Sequence, residues 1–257
     1  RRPELTVVIV SRDEGKNLRT TVSAIKETAP SSVEILVVDD GSTDGSADFL
    51  SGAKSPARLL CASGLGVTKA RNFGARGARG EALIFADAHV VPSAGWLEPM
   101  LDAIGRPGVG AASPAISVMG SPELIGYGLR LKAADLSTQW LRDGRGGVHA
   151  APIVPGCFLA MSRQTFEATG GFDEGMSTWG MSDIELSVRL WLLGYEQLNR
   201  KPEAKADYQA ALALLDSLRA NLAGDQAAKQ AYLDANYALY DRYMNFLVAA
   251  GEHQEAF

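Results

Sequence analysis

"ALIFADAHVVPSAGWLEPM", Ala82 to Met100, is the stretch on which the fold turns. It begins as an uninterrupted apolar run and stops on Asp87-Ala88-His89. A short apolar run bounded by polar chain reads as a strand buried on both faces, as in a parallel sheet covered by helices. Alternate residues at a strand end point the same way, so the Asp87 carboxylate and the His89 imidazole can share one ion. Oxygen plus one nitrogen suits Mn2+ or Mg2+ better than a structural zinc. The competing reading is a polar strand end at the surface, with Asp and His neighbours by chance.

Toward the N-terminus the same scheme repeats. "LTVVIV" (Leu5–Val10) is a β-branched apolar run and reads as a strand. "LRTTVSAIKETA" has helical spacing at Leu18, Val22 and Ile25, and Pro30 stops it. "VEILVVDDGSTDG" predicts a strand over Glu34–Val38 and a polar turn, with a helix starting over Ser46–Leu50. "ARLLCA" is a third strand and "GVTKARNFGARGA" a helix. Short apolar strands alternating with helices predict a right-handed, mainly parallel sheet flanked by helices. Ligands in such sheets bind beyond the carboxyl ends of the strands, where Asp39-Asp40 and Asp87-His89 both fall.

Toward the C-terminus, "GVGAASPAISVM" reads as a strand and "LRDGRGGVHAAP" as a surface loop. "IVPGCFLAMS" is a strand, "RQTFEATGG" a short helix, and "DIELSVRLWLLGY" an amphipathic helix after a polar loop carrying Trp179. From Glu203 to Ala250 the chain is Ala/Leu-rich and helical, and "ANYALYDRYMNFLVAAGEHQEAF" resembles the first helix and turn of a tetratricopeptide repeat. A helical hairpin packed on the main domain is the alternative. The expected division is 1–198 and 199–257.

Composition narrows the classes. The 257 residues, 46% hydrophobic and 21% charged, fit a soluble α/β domain with a helical appendage. No apolar run approaches the ~20 residues of a membrane span. A net charge of −5 argues against a nucleic-acid partner. Cys61 and Cys157 have no metal-ligand spacing and read as reduced core residues of a cytoplasmic protein. Lys69, Arg71, Arg76 and Arg79 form a local basic cluster that could meet a diphosphate or face solvent.

No G-x-G-x-x-G and no G-x-x-x-x-G-K-[ST] is present, so the sheet lacks the usual glycine-rich phosphate cradle. Paired acids stand there instead. An Asp at a strand end can accept hydrogen bonds from a base N–H or a ribose hydroxyl. Asp39-Asp40 also fits a plain turn, as does Ser42-Thr43-Asp44 at a helix cap.

Taken in order, "VIVSRDEGKNL", "EILVVDDGSTDGS", "KARNFGA", "LIFADAHVVPSAGWLEPML", "PGCFLAMSRQTFEATGGFDEGM" and "WGMSDIELSVRLWLLGY" resemble nucleotide-sugar glycosyltransferases of the GT-A fold, in the broad family 2. The segments around Asp87 and Gly171 are most similar to polypeptide N-acetylgalactosaminyltransferases and their bacterial relatives. The resemblance implies a UDP-sugar donor, Mn2+ or Mg2+, and a glycan, peptide or small-molecule acceptor. It implies Ser11, Asp13 and Glu14 lining the nucleotide pocket, Asp40 and its neighbour Asp39 at the uridine, and Arg71 on the donor side. It implies Asp87 and His89 on the metal, Gly156 against the sugar, and Trp179 in the loop over donor and acceptor. Asp183 would be the acceptor-side acid, a general base if the enzyme inverts. Two departures stand out. Ser182 replaces an acid common in relatives, and the second metal-binding histidine of the retaining relatives has no counterpart after "GYEQLN"; the other histidines are His149 and His253. An impaired transferase-like module whose helical tail binds a protein partner is therefore the alternative. A nucleotidyltransferase of related fold is disfavoured, because "SRDEGKN" is not a glycine-rich basic loop.

Overall fold

The structure, a computed structural model, describes residues 5–132, 137–144, 146–176 and 182–197, with isolated positions 205, 206 and 209. Its first half alternates strictly: β1 (Leu5–Ser11), α1 (Lys16–Thr28), β2 (Glu34–Asp39), β3 (Arg58–Cys61), α2 (Val67–Gly77), β4 (Ala82–Asp87) and α3 (Leu97–Ile104). Then come the short strands β5 (Ile116–Val118), β6 (Ser121–Gly126), β7 (Leu129–Leu131) and β8 (Thr138–Trp140). β9 (Phe158–Ser162), α4 (Arg163–Thr169) and α5 (Ser182–Gln197) follow.

The central sheet has five strands in the order β3-β2-β1-β4-β9. β1, β2, β3 and β4 are parallel, in a register that places Ser11 beside Asp39 and Val10 beside Asp87. The chain steps from β1 outward to β3, then returns to the other side of β1 for β4. The topological switch point therefore lies between β1 and β4, where such sheets bind ligands. β9 runs antiparallel to β4. It returns from a long excursion instead of a crossover helix, which is what an antiparallel pairing permits.

Both faces of the sheet are covered. Val7 and Ile9 pack with Leu18, Val22 and Ile25 of α1 and with Leu97 and Met100 of α3. The i, i+4, i+7 spacing of the α1 residues supplies the apolar stripe that this face needs. On the other face α2 lies so close that a Cβ on Gly74 would meet Val8 and Val38 at 2.4 and 2.9 Å. Phe85 of β4 packs edge-on against Phe172, 4.9 Å between ring centroids, and tilted against Phe166 of α4. Arg163 donates to the carbonyls of Ala75, Ala78 and Gly80, satisfying the open end of α2. Ser162 caps α4, its side chain accepting from the Thr165 amide, and Gly170 ends that helix in the left-handed conformation.

Gly80 marks where β4 begins. A Cβ there would lie 2.5 Å from backbone atoms of Leu5 and Thr6. Backbone inside a sheet cannot yield as a side-chain tip can. Gly80→Ala should therefore cost about 1–3 kcal/mol, read as a lower urea midpoint at unchanged m-value.

Three expectations are corrected. The helix over Ser46–Leu50 is only a 3-10 turn at Asp48–Leu50; Gly52, at φ 120°, turns the chain away. The strand over "GVGAASPAISVM" shrinks to β5 plus one bridge between Ala112 and Ala160, since Pro114 has no N–H for a ladder. Cys61 is exposed, because β3 is the edge strand and Cys61 is its last residue; Cys157 is half-buried, and both thiols are free.

The chain divides into two compact units, Arg1–Arg130 with Trp140–Ser187, and Leu131–Gln139 with Val188–Phe257. The functional residues described below belong to the first. The expected boundary at 198 and the tetratricopeptide-like reading fall outside the described residues. Among the described residues no helix is long and apolar enough to cross a membrane.

Candidate functional site

The carboxyl ends of β2, β1 and β4 bring the acidic residues into one row. Strands spaced about 4.8 Å apart put Asp39 and Asp87 about 10 Å from each other across β1. The row has two parts, the expected donor side on β1 and β2 and the expected metal side on β4.

On the donor side, Asp39 and Asp40 divide the work. Asp40 is buried, 3% exposed. Its two carboxylate oxygens accept from the amides of Leu65 and Gly66, at 2.7 and 2.8 Å. Gly66 is the residue before α2, so Asp40 places negative charge at the positive end of the helix that carries Arg71. Asp39 is half-buried, and one of its oxygens accepts from both the amide and the hydroxyl of Ser42. Its other oxygen makes no hydrogen bond among the described residues. Asp13, exposed, sits at φ 52° and accepts from the Thr43 amide at 2.6 Å, while its own amide donates to Ser42 Oγ. Asp44 accepts from the Gly15 amide. Hydrogen bonds from Ser46, then from the Gly15 amide, hold its carboxyl below the ordinary value. The loops after β1 and β2 are thus stitched together. Ser11 is buried and its Oγ has no partner, an orphaned hydroxyl at the strand end.

On the metal side a continuous chain of contacts runs between elements distant in sequence. Glu14 Oε1 lies 3.2 Å from His89 Nδ1, and His89 Nε2 lies 4.0 Å from Asp87 Oδ2. Asp87 Oδ1 accepts from Arg71 Nη2 at 3.0 Å. The same guanidinium donates to the Gly156 carbonyl at 2.9 Å and reaches Ser182 Oγ at 3.5 Å. The Gly156 amide donates to Asp183 Oδ2, 3.2 Å away. Arg71 is only 5% exposed and stacks over Phe172. A Cβ on Gly156 would stand 3.2 Å from Asp183 and 3.3 Å from Arg71, so this glycine admits those two side chains against its backbone.

The sequence-predicted residues Asp87, His89, Arg71, Gly156 and Asp183 therefore converge. Asp40 stands at the same sheet edge but is directed into the loop before α2. Of the basic cluster only Arg71 enters the site; Arg76 pairs with Glu174, Arg79 with Glu34, and Lys69 is exposed. His149 lies against the Tyr127 carbonyl at 3.1 Å, away from Asp87. Trp179 and His253 lie outside the described residues. Burial, then the Asp87 charge, push the Cys157 thiol up to about 11, so it stays protonated and takes no nucleophilic part. Sequence reasoning missed the Glu14–His89 contact and the partnership of Ser182 with Arg71. It also missed Asn72, which exchanges hydrogen bonds with the amide and carbonyl of Phe172 and so anchors the segment leading toward Trp179.

Arg71 ties the end of β4 to Gly156 and Ser182. Replacing it with Met leaves the Asp87 and Gly156 oxygens and Ser182 without their cation. Asp87 is a fifth exposed, so the loss is screened below that of a fully buried pair; Arg71→Met should cost about 2–3 kcal/mol, measured by chemical unfolding. Arg71→Lys keeps the charge, loses the fork, and should cost less.

Residues 6–168 match the model of Glycosyl transferase family 2, and residues 149–210 match the N-terminal domain of galactosyltransferase. Polypeptide N-acetylgalactosaminyltransferase 12 of Mus musculus is 29% identical over 266 residues, covering 91% of this chain and 46% of its own length. Polypeptide N-acetylgalactosaminyltransferase 15 of Homo sapiens is 32% identical over 215 residues, covering 75% of this chain and 34% of its own length. The chain thus spans about a third to a half of the length of these relatives. Among solved structures, GalNAc-T7 with UDP, GalNAc and Mn2+ superposes with a TM-score of 0.64 at 24% identity, covering 73% of this chain and 40% of that one. Mannosyltransferase PcManGT from Pyrobaculum calidifontis, in complex with GDP-Man and Mn2+, gives a TM-score of 0.56 at 19% identity, covering 98% of this chain and 74% of that one. At these identities the structural likeness establishes the shared GT-A fold.

Proposed function

The chain belongs to Glycosyl transferase family 2, and from that premise we propose that it moves a sugar from a nucleotide-sugar donor to a hydroxyl acceptor. The donor is a UDP-sugar, the acceptor a glycan, a peptide or a small molecule, and the metal Mn2+ or Mg2+ held by Asp87 and His89. One observation carries the reading. The contact chain Glu14–His89–Asp87–Arg71–Gly156–Asp183 spans the switch point between β1 and β4, with chemistry at both ends.

The donor atoms are within reach of one cation, and a turn of the exposed His89 ring would bring them to the roughly 3 Å of adjacent octahedral ligands. Two ligands each about 2.1 Å from one ion stand at most about 4.2 Å apart. Asp87 Oδ2 and His89 Nε2, 4.0 Å apart, satisfy that limit. Arg71 occupies the other Asp87 oxygen and leaves Oδ2 to the metal. A bound divalent ion offsets the diphosphate charge and stabilises it as a leaving group.

The chain's own residues do the rest. Asp39, with one oxygen uncommitted, is placed for the base. Ser11, with its orphaned hydroxyl, and Asp13 form the rim beside it, and Glu14 stands between the rim and the metal ligands. Asp40 fixes the start of α2 and so the position of Arg71. Asp183 keeps a lone pair on each oxygen after accepting from the Gly156 and Ile184 amides. It is half-buried, open to an acceptor hydroxyl, and takes its proton. Trp179 is assigned, on the family resemblance alone, to cover donor and acceptor. The match to residue 210 supports a transferase part that continues past 198, and the Ala/Leu-rich sequence after it, helical by its pattern, is a candidate site for a protein partner. The exposed free thiol of Cys61 fits a reducing compartment such as the cytoplasm.

The relatives support the donor class. One solved neighbour holds UDP and another GDP-Man, both with Mn2+, and the sequence relatives favour the first. The second reading, a transferase-like module without turnover, draws on the metal side: among the described residues no group of three His, Cys, Asp or Glu could hold an ion. Calorimetric titration of UDP and GDP, each with and without Mn2+, tests the proposal, followed by transfer assays with UDP-sugars. Mn2+-dependent UDP binding with turnover is expected. Binding without turnover on any acceptor, or no nucleotide binding at all, sinks the transferase and leaves the module.

A further inference from the structure

Building on the reading of Asp87 and His89 as metal ligands, we infer that Glu14 sets the orientation and tautomer of the His89 ring and so presents Nε2 to the ion. Glu14 is then a positioning residue for the metal, beyond its expected place in the nucleotide pocket.

The observation begins in the backbone. After β1 the chain turns sharply. Asp13 and Gly15 both have φ 52°, and the Asn17 amide closes on the Glu14 carbonyl at 3.0 Å. A non-glycine residue in the left-handed region persists only where its surroundings hold it. Asp13 is held by Ser42 and Thr43, and Gly15 by Asp44. Glu14, between these anchors, reaches the end of β4, across the switch point. Asn17 steadies it by donating to Oε2 at 3.4 Å.

The geometry separates orienting from ligating. The two nitrogens of an imidazole point in divergent directions. Nε2 is the one near Asp87, at 4.0 Å, and Nδ1 is the one at Glu14, at 3.2 Å. Glu14 therefore stands on the far side of the ring from the ion and cannot share it. A carboxylate accepting from Nδ1–H leaves the lone pair on Nε2, which is the arrangement of metal-binding histidines backed by an acid. The His89 side chain is 53% exposed, so little packing fixes its ring, and this hydrogen bond supplies the constraint. A surface ion pair serving stability alone would contribute little and would leave metal affinity untouched.

The test uses the whole chain as wild type, Glu14→Ala, Glu14→Gln and His89→Ala. Mn2+ is titrated without nucleotide and followed by electron paramagnetic resonance. Long-range 1H–15N spectra of the metal-free protein report the His89 tautomer, with His89→Ala assigning the signal. The wild type should carry its proton on Nδ1. Glu14→Ala should lose that preference and bind Mn2+ about 10- to 100-fold more weakly. Glu14→Gln keeps the shape and an accepting carbonyl, so it should recover most of the affinity and guards against a folding defect. Unchanged Mn2+ affinity in Glu14→Ala, or an Nε2–H tautomer in the wild type, overturns the role of Glu14. A wild type that binds no Mn2+ overturns the ligand reading beneath it, and the wild-type titration alone tells these failures apart.

Discussion

Asp87→Ala should abolish the Mn2+ dependence of UDP binding. The carboxylate stands at the end of β4, where the proposed function puts the donor's diphosphate. At an effective dielectric near 20, two negative charges ~4 Å apart repel by about 4 kcal/mol. With a cation between them the sign reverses. Losing the ligand should therefore weaken UDP binding in Mn2+ by about a thousandfold, to the level seen in chelator. The substitution also frees Arg71, which is 5% exposed and donates to Asp87 Oδ1. Asp87→Asn separates the two effects, because its amide oxygen still accepts from Arg71 while its charge is gone. Both variants should lose Mn2+-dependent binding in calorimetry, and only Asp87→Ala should lose several degrees of melting temperature. If Asp87→Ala binds UDP as the wild type does in Mn2+, the metal is held elsewhere and the site assignment fails.

The strands were legible because parallel strands covered on both faces read as apolar runs. Val7, Val8 and Ile9 show this, all fully buried. The antiparallel turn of β9 was not, since strand direction depends on how the chain returns and leaves no local mark. Residues 105–152 were hard to read for a related reason: their strands are three to six residues long, and Pro114 and the glycines interrupt any period. Within the site, Asp87, His89, Arg71 and Asp183 were legible through an ordered set of motifs, each weak alone. The division between Asp39 and Asp40 was not. Adjacent aspartates look alike in sequence, and only the position of the Leu65 and Gly66 amides decides which one is spent internally. The Glu14–His89 contact joins residues 75 positions apart and hangs on the left-handed Asp13, which no periodicity announces.

Asp183→Asn should lower kcat by about 100- to 10,000-fold while leaving Mn2+ and UDP binding close to the wild type. The carboxylate has two jobs that differ in size. Structurally it accepts from the Gly156 amide at 3.2 Å and from the Ile184 amide at 3.1 Å. An asparagine keeps one of these bonds and turns its NH2 toward the other donor, a cost of about 1–2 kcal/mol. Chemically it loses the base altogether, since an amide does not take a proton from an acceptor hydroxyl. With Asp183 as the base, the acceptor hydroxyl gives up its proton, its oxygen attacks the anomeric carbon, and the nucleoside diphosphate leaves from the opposite face; that single displacement inverts the centre, so proton NMR of the product should show the configuration opposite to that of the donor. A fall in kcat of less than tenfold, with the configuration retained, would leave Asp183 as the residue that clamps the Gly156 peptide against Arg71. A large loss of kcat in the variant and an inverted product from the wild type must both be seen for the base assignment to stand, and a purely structural role predicts neither.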